Sequence, residues 1–155
     1  MQKRKNRTGE KTKMKTIGII GSRRRDSPKD YKVCEKTFLQ VYENGDEIVS
    51  GGCPRGGDRF AEIIAKKFQV PIKIYYAQWD KHGKGAGFIR NTYIARDSDI
   101  LISLVSPDRK GGAEDTIKKY CKTDKKDSCI ILELEDKFED KSEDTQWQKD
   151  LDSLL

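Results

Sequence analysis

Histidine is almost missing from this chain of 155 residues, where His82 is the only one. The four cysteines, Cys34, Cys53, Cys121 and Cys129, form no CxxC pair, so no zinc-binding spacing is present and no metal is expected. Long apolar runs are lacking too, which excludes a membrane-spanning helix, and no secretory signal is evident. The expectation from these absences is a cytoplasmic protein without membrane contacts. Its cysteines are then reduced thiols, mostly small buried core residues. Cys53 stands apart, because it falls inside a glycine loop.

What is abundant is charge, and it is unevenly placed. Residues 1–15 hold seven Lys/Arg against one Glu, residues 133–155 hold nine Asp/Glu against three Lys, and the whole chain carries +6. The two ends cancel, so residues 16–132 are themselves basic. That balance suits a phosphorylated ligand or a nucleic acid, although a solvated lysine-rich surface has the same composition. The length gives room for one domain with a real core. The expected organisation is a disordered basic tail over 1–15, one domain over 16–134 and an acidic extension over 135–155. Met14, just before the first structured residues, is a candidate alternative start.

The chain is organised around Ser50-Gly51-Gly52-Cys53-Pro54-Arg55-Gly56-Gly57-Asp58. Glu47-Ile48-Val49 before it reads as a short buried strand, and Arg59 to Phe68 after it shows helical apolar spacing. Strand, glycine loop and helix in that order place free N–H groups and a helix dipole at the loop, where a phosphate is the natural occupant. The plain alternative is a tight turn and nothing more.

The same alternation runs through the rest of the sequence. Thr16 to Ile20 is an apolar run ending in Gly21-Ser22-Arg23, the pattern of a strand buried on both faces. Ser27 or Asp30 with Pro28 starts a helix to about Glu43, closed by Asn44-Gly45 with Gly45 as its C′ residue. Val70 to Tyr76 reads as a third strand, followed by a long glycine-bearing loop from Gln78 to Gly87 and a helix from Phe88 to Ala95. Asp99 to Val105 is a fourth strand, Pro107 to Gly112 a second glycine loop, and Glu114 to Cys121 a helix. Ser128 to Leu134 is a fifth strand, and a short amphipathic helix is expected around Trp147 and Leu151. These segments predict an α/β fold: a Rossmann-like, doubly wound parallel sheet of about five strands in three layers. In such sheets ligands bind beyond the strand C-termini, at the point where the strand order reverses. The three loops following strand ends therefore converge on one rim.

In order, the chain carries GSR at Gly21–Arg23, SGG-x₃-GGD at Ser50–Asp58, W-x₃-G-x₃-G-x₂-RN at Trp79–Asn91, and GG-x₃-T at Gly111–Thr116. This set resembles the SLOG superfamily, and within it the YspA-like branch, over about Thr16 to Leu132. The resemblance implies a Rossmann-like domain binding nucleotides or derivatives such as ADP-ribose. Relatives in that superfamily include the cytokinin-activating phosphoribohydrolases, which cleave an N-glycosidic bond, and DNA-processing proteins that bind single strands. Carried over by motif, Gly21, Ser22 and Arg23 match a ligand-facing loop, and Gly51, Gly52, Gly56, Gly57 and Asp58 match the glycine loop. Arg90, with Asn91, is placed like the phosphoribohydrolase active-site arginine. Gly111 and Gly112 match the opening of the PGG-x-GT-x₂-E signature, but the catalytic glutamate has no clear equivalent, since Ile117 or a lysine stands there. Glu114 and Asp115 are the nearby carboxylates, displaced in register and equally suited to the start of a helix.

The leading expectation is a sensor or sequestering module for a nucleotide derivative, needing no cofactor. Its ligand residues are Gly21, Ser22, Arg23, Ser50, Gly51, Gly52, Gly56, Gly57, Asp58, Arg90, Asn91, Gly111, Gly112 and Thr116, with Trp79 either stacking on a base or packing. Asp58 is open to two roles, a ribose contact or a helix cap through Phe60 or Ala61 N–H. The second expectation is a hydrolase of nucleoside monophosphates, with Arg90 holding phosphate and Glu114 or Asp115 as the carboxylate. The third is single-stranded nucleic-acid binding by the basic tail and core. A homo-oligomer is implied by the resemblance.

Overall fold

The computed structural model describes residues 14–133, together with the paired backbone of Arg4–Lys5 (β1) and Lys11–Thr12 (β2). Most of the basic tail, the acidic extension and the helix expected around Trp147 and Leu151 lie outside the described residues.

Five strands form one all-parallel sheet: β3 (Thr16–Gly21), β4 (Glu47–Ser50), β5 (Ile72–Ile74), β6 (Ile100–Leu104) and β7 (Cys129–Leu132). Their order across the sheet is β5-β4-β3-β6-β7. The chain winds outward from β3 to β5, returns to the other side of β3, and winds outward again. The order thus reverses between β3 and β6, where Ile19 stands opposite Ile102. This is the Rossmann-like arrangement that the alternating segments predict.

The period of two along the strands sorts their side chains onto two faces. Ile17 and Ile19 of β3 join Ile48, Ile102 and Leu104 against Tyr31, Cys34, Phe38, Phe60 and Ile64, which belong to α1 (Pro28–Val41) and α2 (Gly57–Phe68). Ile20, Val49, Leu101 and Val105 face the opposite way. They pack with Ile94 of α4 (Ala86–Asp97) and with Ile117 and Tyr120 of α5 (Gly112–Tyr120). Both sheet faces are covered by helices, as is usual for a parallel sheet.

Helix α1 begins with a capping box. Ser27 Oγ accepts from Asp30 N–H at 3.1 Å, Asp30 Oδ2 accepts from Ser27 N–H at 3.3 Å, and Pro28 occupies the first turn. Asp30 also holds the buried Arg25, whose Nε lies 2.8 Å from Oδ1. Nη1 of Arg25 reaches the carbonyls of Val105 at 3.1 Å and Leu132 at 2.5 Å, tying the ends of β6 and β7 to the start of α1.

Three local expectations change. Gly45 is not the C′ residue of α1, which ends on an extended Tyr42. Gly45 takes φ 99° inside the turn from Glu43 to Asp46, fastened by the Asp46 carboxylate on the backbone N–H groups of Glu43 and Lys15. The third strand is confined to Ile72–Ile74, in register with Ile48, Val49 and Ser50 of β4. The stretch after it is not an open loop: it coils into α3 (Trp79–His82) and a 3₁₀ turn (Gly83–Gly85) that runs into α4.

Candidate functional site

At the reversal point, beyond the C-terminal ends of β3 and β6, lies a cleft of about 470 Å³. The end of β3 supplies Gly21 and the following Ser22, Arg23 and Arg24 to its wall. The loop after β4 supplies Cys53, the first turn of α2 supplies Asp58, the loop after β6 supplies Lys110 and Gly111, and α4 closes one side through Arg90 and Asn91. The size falls in the range of small-molecule sites. No group of His, Cys, Asp and Glu able to hold a metal occurs among the described residues.

In the first glycine loop the protein supplies its own acceptors to several N–H groups. Gly56 N–H donates to Asp26 Oδ1 at 2.8 Å, so a carboxylate of the chain stands at the α2 N-terminus. Arg59 Nη1 holds the other oxygen of Asp26 at 3.3 Å. Cys53 N–H donates to Asp58 Oδ2 at 3.1 Å, and Ser50 Oγ lies 3.1 Å from Asp58 Oδ1. Ser50 is itself buried against the Ile19 carbonyl. Asp58 therefore braces the loop from within and is 8% exposed. It does not cap α2 through Phe60 or Ala61, since α2 has no side-chain cap.

The glycines of that loop answer to packing. A Cβ on Gly57 would sit 2.2 Å from the Ile20 carbonyl carbon, so glycine here lets α2 lie directly on β3. At Gly51, Gly52 and Gly56 the nearest obstacles are Asp58, the Tyr76 ring and the Ser22 carbonyl, at 2.7, 2.5 and 2.3 Å. Ser50, Gly51, Gly52, Gly56 and Gly57 thus support the cleft from behind and do not line it.

The second glycine loop is different. Nothing lies within 4 Å of a Cβ built on Gly111 or Gly112, and Gly111 takes φ 121°. Among the described residues the N–H groups of Gly111, Gly112 and Ala113 have no hydrogen-bond partner, and they open α5 at the cleft wall. Arg23 and Lys110 beside them carry no side-chain partner among the described residues. Arg24, by contrast, is engaged by Asp108 at 2.5 Å and by Ser106 Oγ at 2.9 Å.

A chain of hydrogen bonds sets the α4 wall. Arg90 Nη1 donates to the Gly51 carbonyl at 2.6 Å and its Nε to Asn91 Oδ1 at 2.9 Å. Asn91 Nδ2 in turn donates to Asp115 Oδ2 at 3.1 Å and to the Gly112 carbonyl at 3.3 Å. Lys119 Nζ completes the chain on Asp115 at 2.7 Å. Asn91 and Thr116 are almost fully enclosed where they meet the cleft.

Neither Glu114 nor Asp115 lines the cleft. Glu114 is gripped bidentately by Arg109, at 2.5 and 3.1 Å, and Asp115 is spent on Asn91 and Lys119. The one carboxylate lining the cleft among the described residues is Asp58. Burial pushes its pKa up, opposed by the Cys53 N–H, the Arg90 charge and the Ser50 hydroxyl. Trp79 is also outside the cleft and 57% exposed. The coiling of α3 carries its ring over Gly87, where Cη2 lies 3.6 Å from a Cβ built on that glycine.

Of the residues expected at a ligand, Gly21, Ser22, Arg23, Asp58, Arg90, Asn91, Gly111, Gly112 and Thr116 meet in the cleft. Sequence reasoning missed Lys110 and Arg24 in the wall and Asp26 behind it. Lys110 sits directly before the second glycine pair, a position that was its only local signal.

Fold and cleft together define a Rossmann-like α/β domain with a basic site at its switch point. No protein-family model, curated protein or solved structure matches the chain. No helix among the described residues is long and apolar enough to cross a membrane.

Proposed function

We propose that this is a SLOG-like domain whose cleft binds a nucleotide or nucleotide derivative, of the nucleoside phosphate or ADP-ribose kind, as a sensor or sequestering module. The observation that carries this reading is the unpartnered N–H row of Gly111, Gly112 and Ala113 beside the unpaired Arg23 and Lys110. A helix N-terminus with two free cations is an anion site by both dipole and charge. The anion-binding end of the cleft is thus the second glycine loop, and the ligand's remaining part extends toward Arg90 and Asp58. A homo-oligomer belongs to the same proposal through the resemblance.

The test combines mass spectrometry of small molecules released on denaturation with a thermal-shift panel of nucleotides and ADP-ribose derivatives. A ligand at about a hundred times its Kd stabilises the fold by about 2.7 kcal/mol. That gain should shrink in Arg23→Ala and Lys110→Ala. A panel in which no nucleotide shifts the native protein, or one in which both variants respond in full, overturns the reading.

The hydrolase reading rests on one observation, the Asp58 carboxyl in the cleft wall with its pKa raised by burial, as a general acid requires. Free base and ribose phosphate formed from supplied nucleotide, and lost in Asp58→Asn, would establish it.

A further inference from the structure

The cleft holds little that can read a nucleobase. Among the described residues no aromatic side chain lines it, and Trp79 stands outside. Its two isoleucines, Ile20 and Ile94, are 4% and 1% exposed, so they offer almost no surface on which a planar base could lie. The one carboxamide lining it among the described residues is Asn91. Its Nδ2 donates to Asp115 and to the Gly112 carbonyl, and its Oδ1 accepts from Arg90 Nε. A base edge is read by a donor and an acceptor fixed side by side, as a carboxamide offers them, and here both are engaged within the protein.

What the cleft keeps available suits hydroxyl groups instead. Thr116 lines it at 1% exposure, one turn along α5 from Gly112, and its Oγ1 makes no hydrogen bond among the described residues. An enclosed hydroxyl without a partner is costly, and an occupant of the cleft is placed to relieve it. Ser22 Oγ accepts from Arg24 N–H at 3.2 Å, and among the described residues its own proton has no acceptor. A sugar hydroxyl both donates and accepts, so it pairs with either of these groups. Beside them lie the open N–H groups of Gly111, Gly112 and Ala113 with the cations Arg23 and Lys110.

Building on the reading of this cleft as a nucleotide site, we propose that the unit it recognises is the phosphorylated pentose and that the base is left unread. A pentose with a terminal phosphate and no base is then a ligand in its own right. Its phosphate takes the N–H row that opens α5, together with Arg23 and Lys110. A phosphate monoester carries close to two negative charges at neutral pH, which these two cations match. The sugar hydroxyls take Thr116 and Ser22. A diphosphate bridging two sugars, as in ADP-ribose, has one charge on each phosphorus and suits that end less well.

Calorimetric titration of the full-length chain compares ribose 5-phosphate with AMP, GMP, CMP, UMP and ADP-ribose, and with inorganic phosphate and ribose. Stacking of a base alone strengthens binding by about 5- to 150-fold. Ribose 5-phosphate should therefore bind within about 5-fold of each of the four nucleotides, below what such stacking gives. Inorganic phosphate and ADP-ribose should bind more weakly, and ribose not at all. Thr116→Val, which removes the hydroxyl, should weaken ribose 5-phosphate by about 2- to 12-fold, the contribution of one hydrogen bond. Its unchanged response to inorganic phosphate shows that the variant is folded. Three results would overturn this inference and leave the nucleotide reading standing: nucleotides or ADP-ribose binding where ribose 5-phosphate is silent or more than about 5-fold weaker, inorganic phosphate binding as tightly as the sugar phosphate while nucleotides bind, or Thr116→Val with unchanged affinity. Silence from all four nucleotides and from ADP-ribose would overturn both.

Discussion

Arg90 Nη1 donates to the Gly51 carbonyl oxygen at 2.6 Å, so a side chain of α4 is fastened to the loop that follows β4. The cleft wall and the glycine loop are one mechanical unit through this bond. Arg90 also supplies the positive charge that offsets the buried Asp58. Replacing Arg90 with Ala should therefore lower stability as well as ligand response. A hydrogen bond to a charged group contributes about 1.5–3 kcal/mol, and a loss of that order is expected in urea titrations. Arg23→Ala, at an exposed and unpaired position, should stay within about 0.5 kcal/mol of the native chain.

Gly57 and Gly112 should respond oppositely to alanine. At Gly57 the new methyl meets the β3 backbone at 2.2 Å, an overpacking whose typical cost is about 1–3 kcal/mol and which has no side chain to yield. At Gly112 the methyl meets nothing, and alanine in place of glycine in a helix gains about 0.5–1 kcal/mol. Gly112→Ala should thus melt no lower than the native protein yet lose part of its nucleotide-induced shift. Melting curves with and without ligand check both halves.

The Arg25–Asp30 pair is buried and joins three elements, α1, β6 and β7. Removing one member of a buried pair strands the other charge, at a cost of about 3–5 kcal/mol. Asp30→Ala also loses the capping box on Ser27. Denaturant midpoints should place both Arg25→Ala and Asp30→Ala far below the Lys67→Ala variant, whose partner Glu35 lies at the surface.

Burial holds the Asp58 carboxyl above its ordinary pKa. The folded chain therefore binds this proton more tightly than the unfolded chain, and its contribution to stability declines as pH rises from the ordinary carboxylate value through the raised one. Asp46 acts in the opposite sense. Burial raises its pKa, but the N–H groups of Lys15 and Glu43 and the Lys15 charge outweigh that and lower it, so its contribution is lost as pH falls through the lowered value. Asp58→Asn removes the first component and leaves the second. The stability difference between the variant and the native chain should move in the variant's favour as pH rises across the acid range. A difference that stays constant in urea midpoints would contradict the raised pKa.

The apolar runs at Thr16–Ile20, Ile48–Val49 and Asp99–Val105 are legible because a strand's continuous apolar run and a helix's period near four are properties of neighbouring residues. So is the convergence of the loops, since parallel crossovers put every strand C-terminus on one edge. What the sequence leaves open is which polar group near the rim faces the cleft: Glu114, Asp115 and Trp79 are all near it in the chain, and none of the three lines it.

Which groups are free to face a ligand is settled by contacts between residues far apart in the chain. Asp26 reaches Gly56 across 30 positions, Arg90 reaches Gly51 across 39, and Arg24 reaches Asp108 across 84. The local pattern therefore determines that this chain folds as a parallel α/β sheet with glycine loops on one edge. Only the packed chain decides that Asp26 and Asp58 take up N–H groups of the first loop while Gly111, Gly112 and Ala113 of the second keep theirs open beside two cations. A backbone N–H bonds whichever acceptor the tertiary fold brings within 3 Å, and that acceptor's address is not written in the loop.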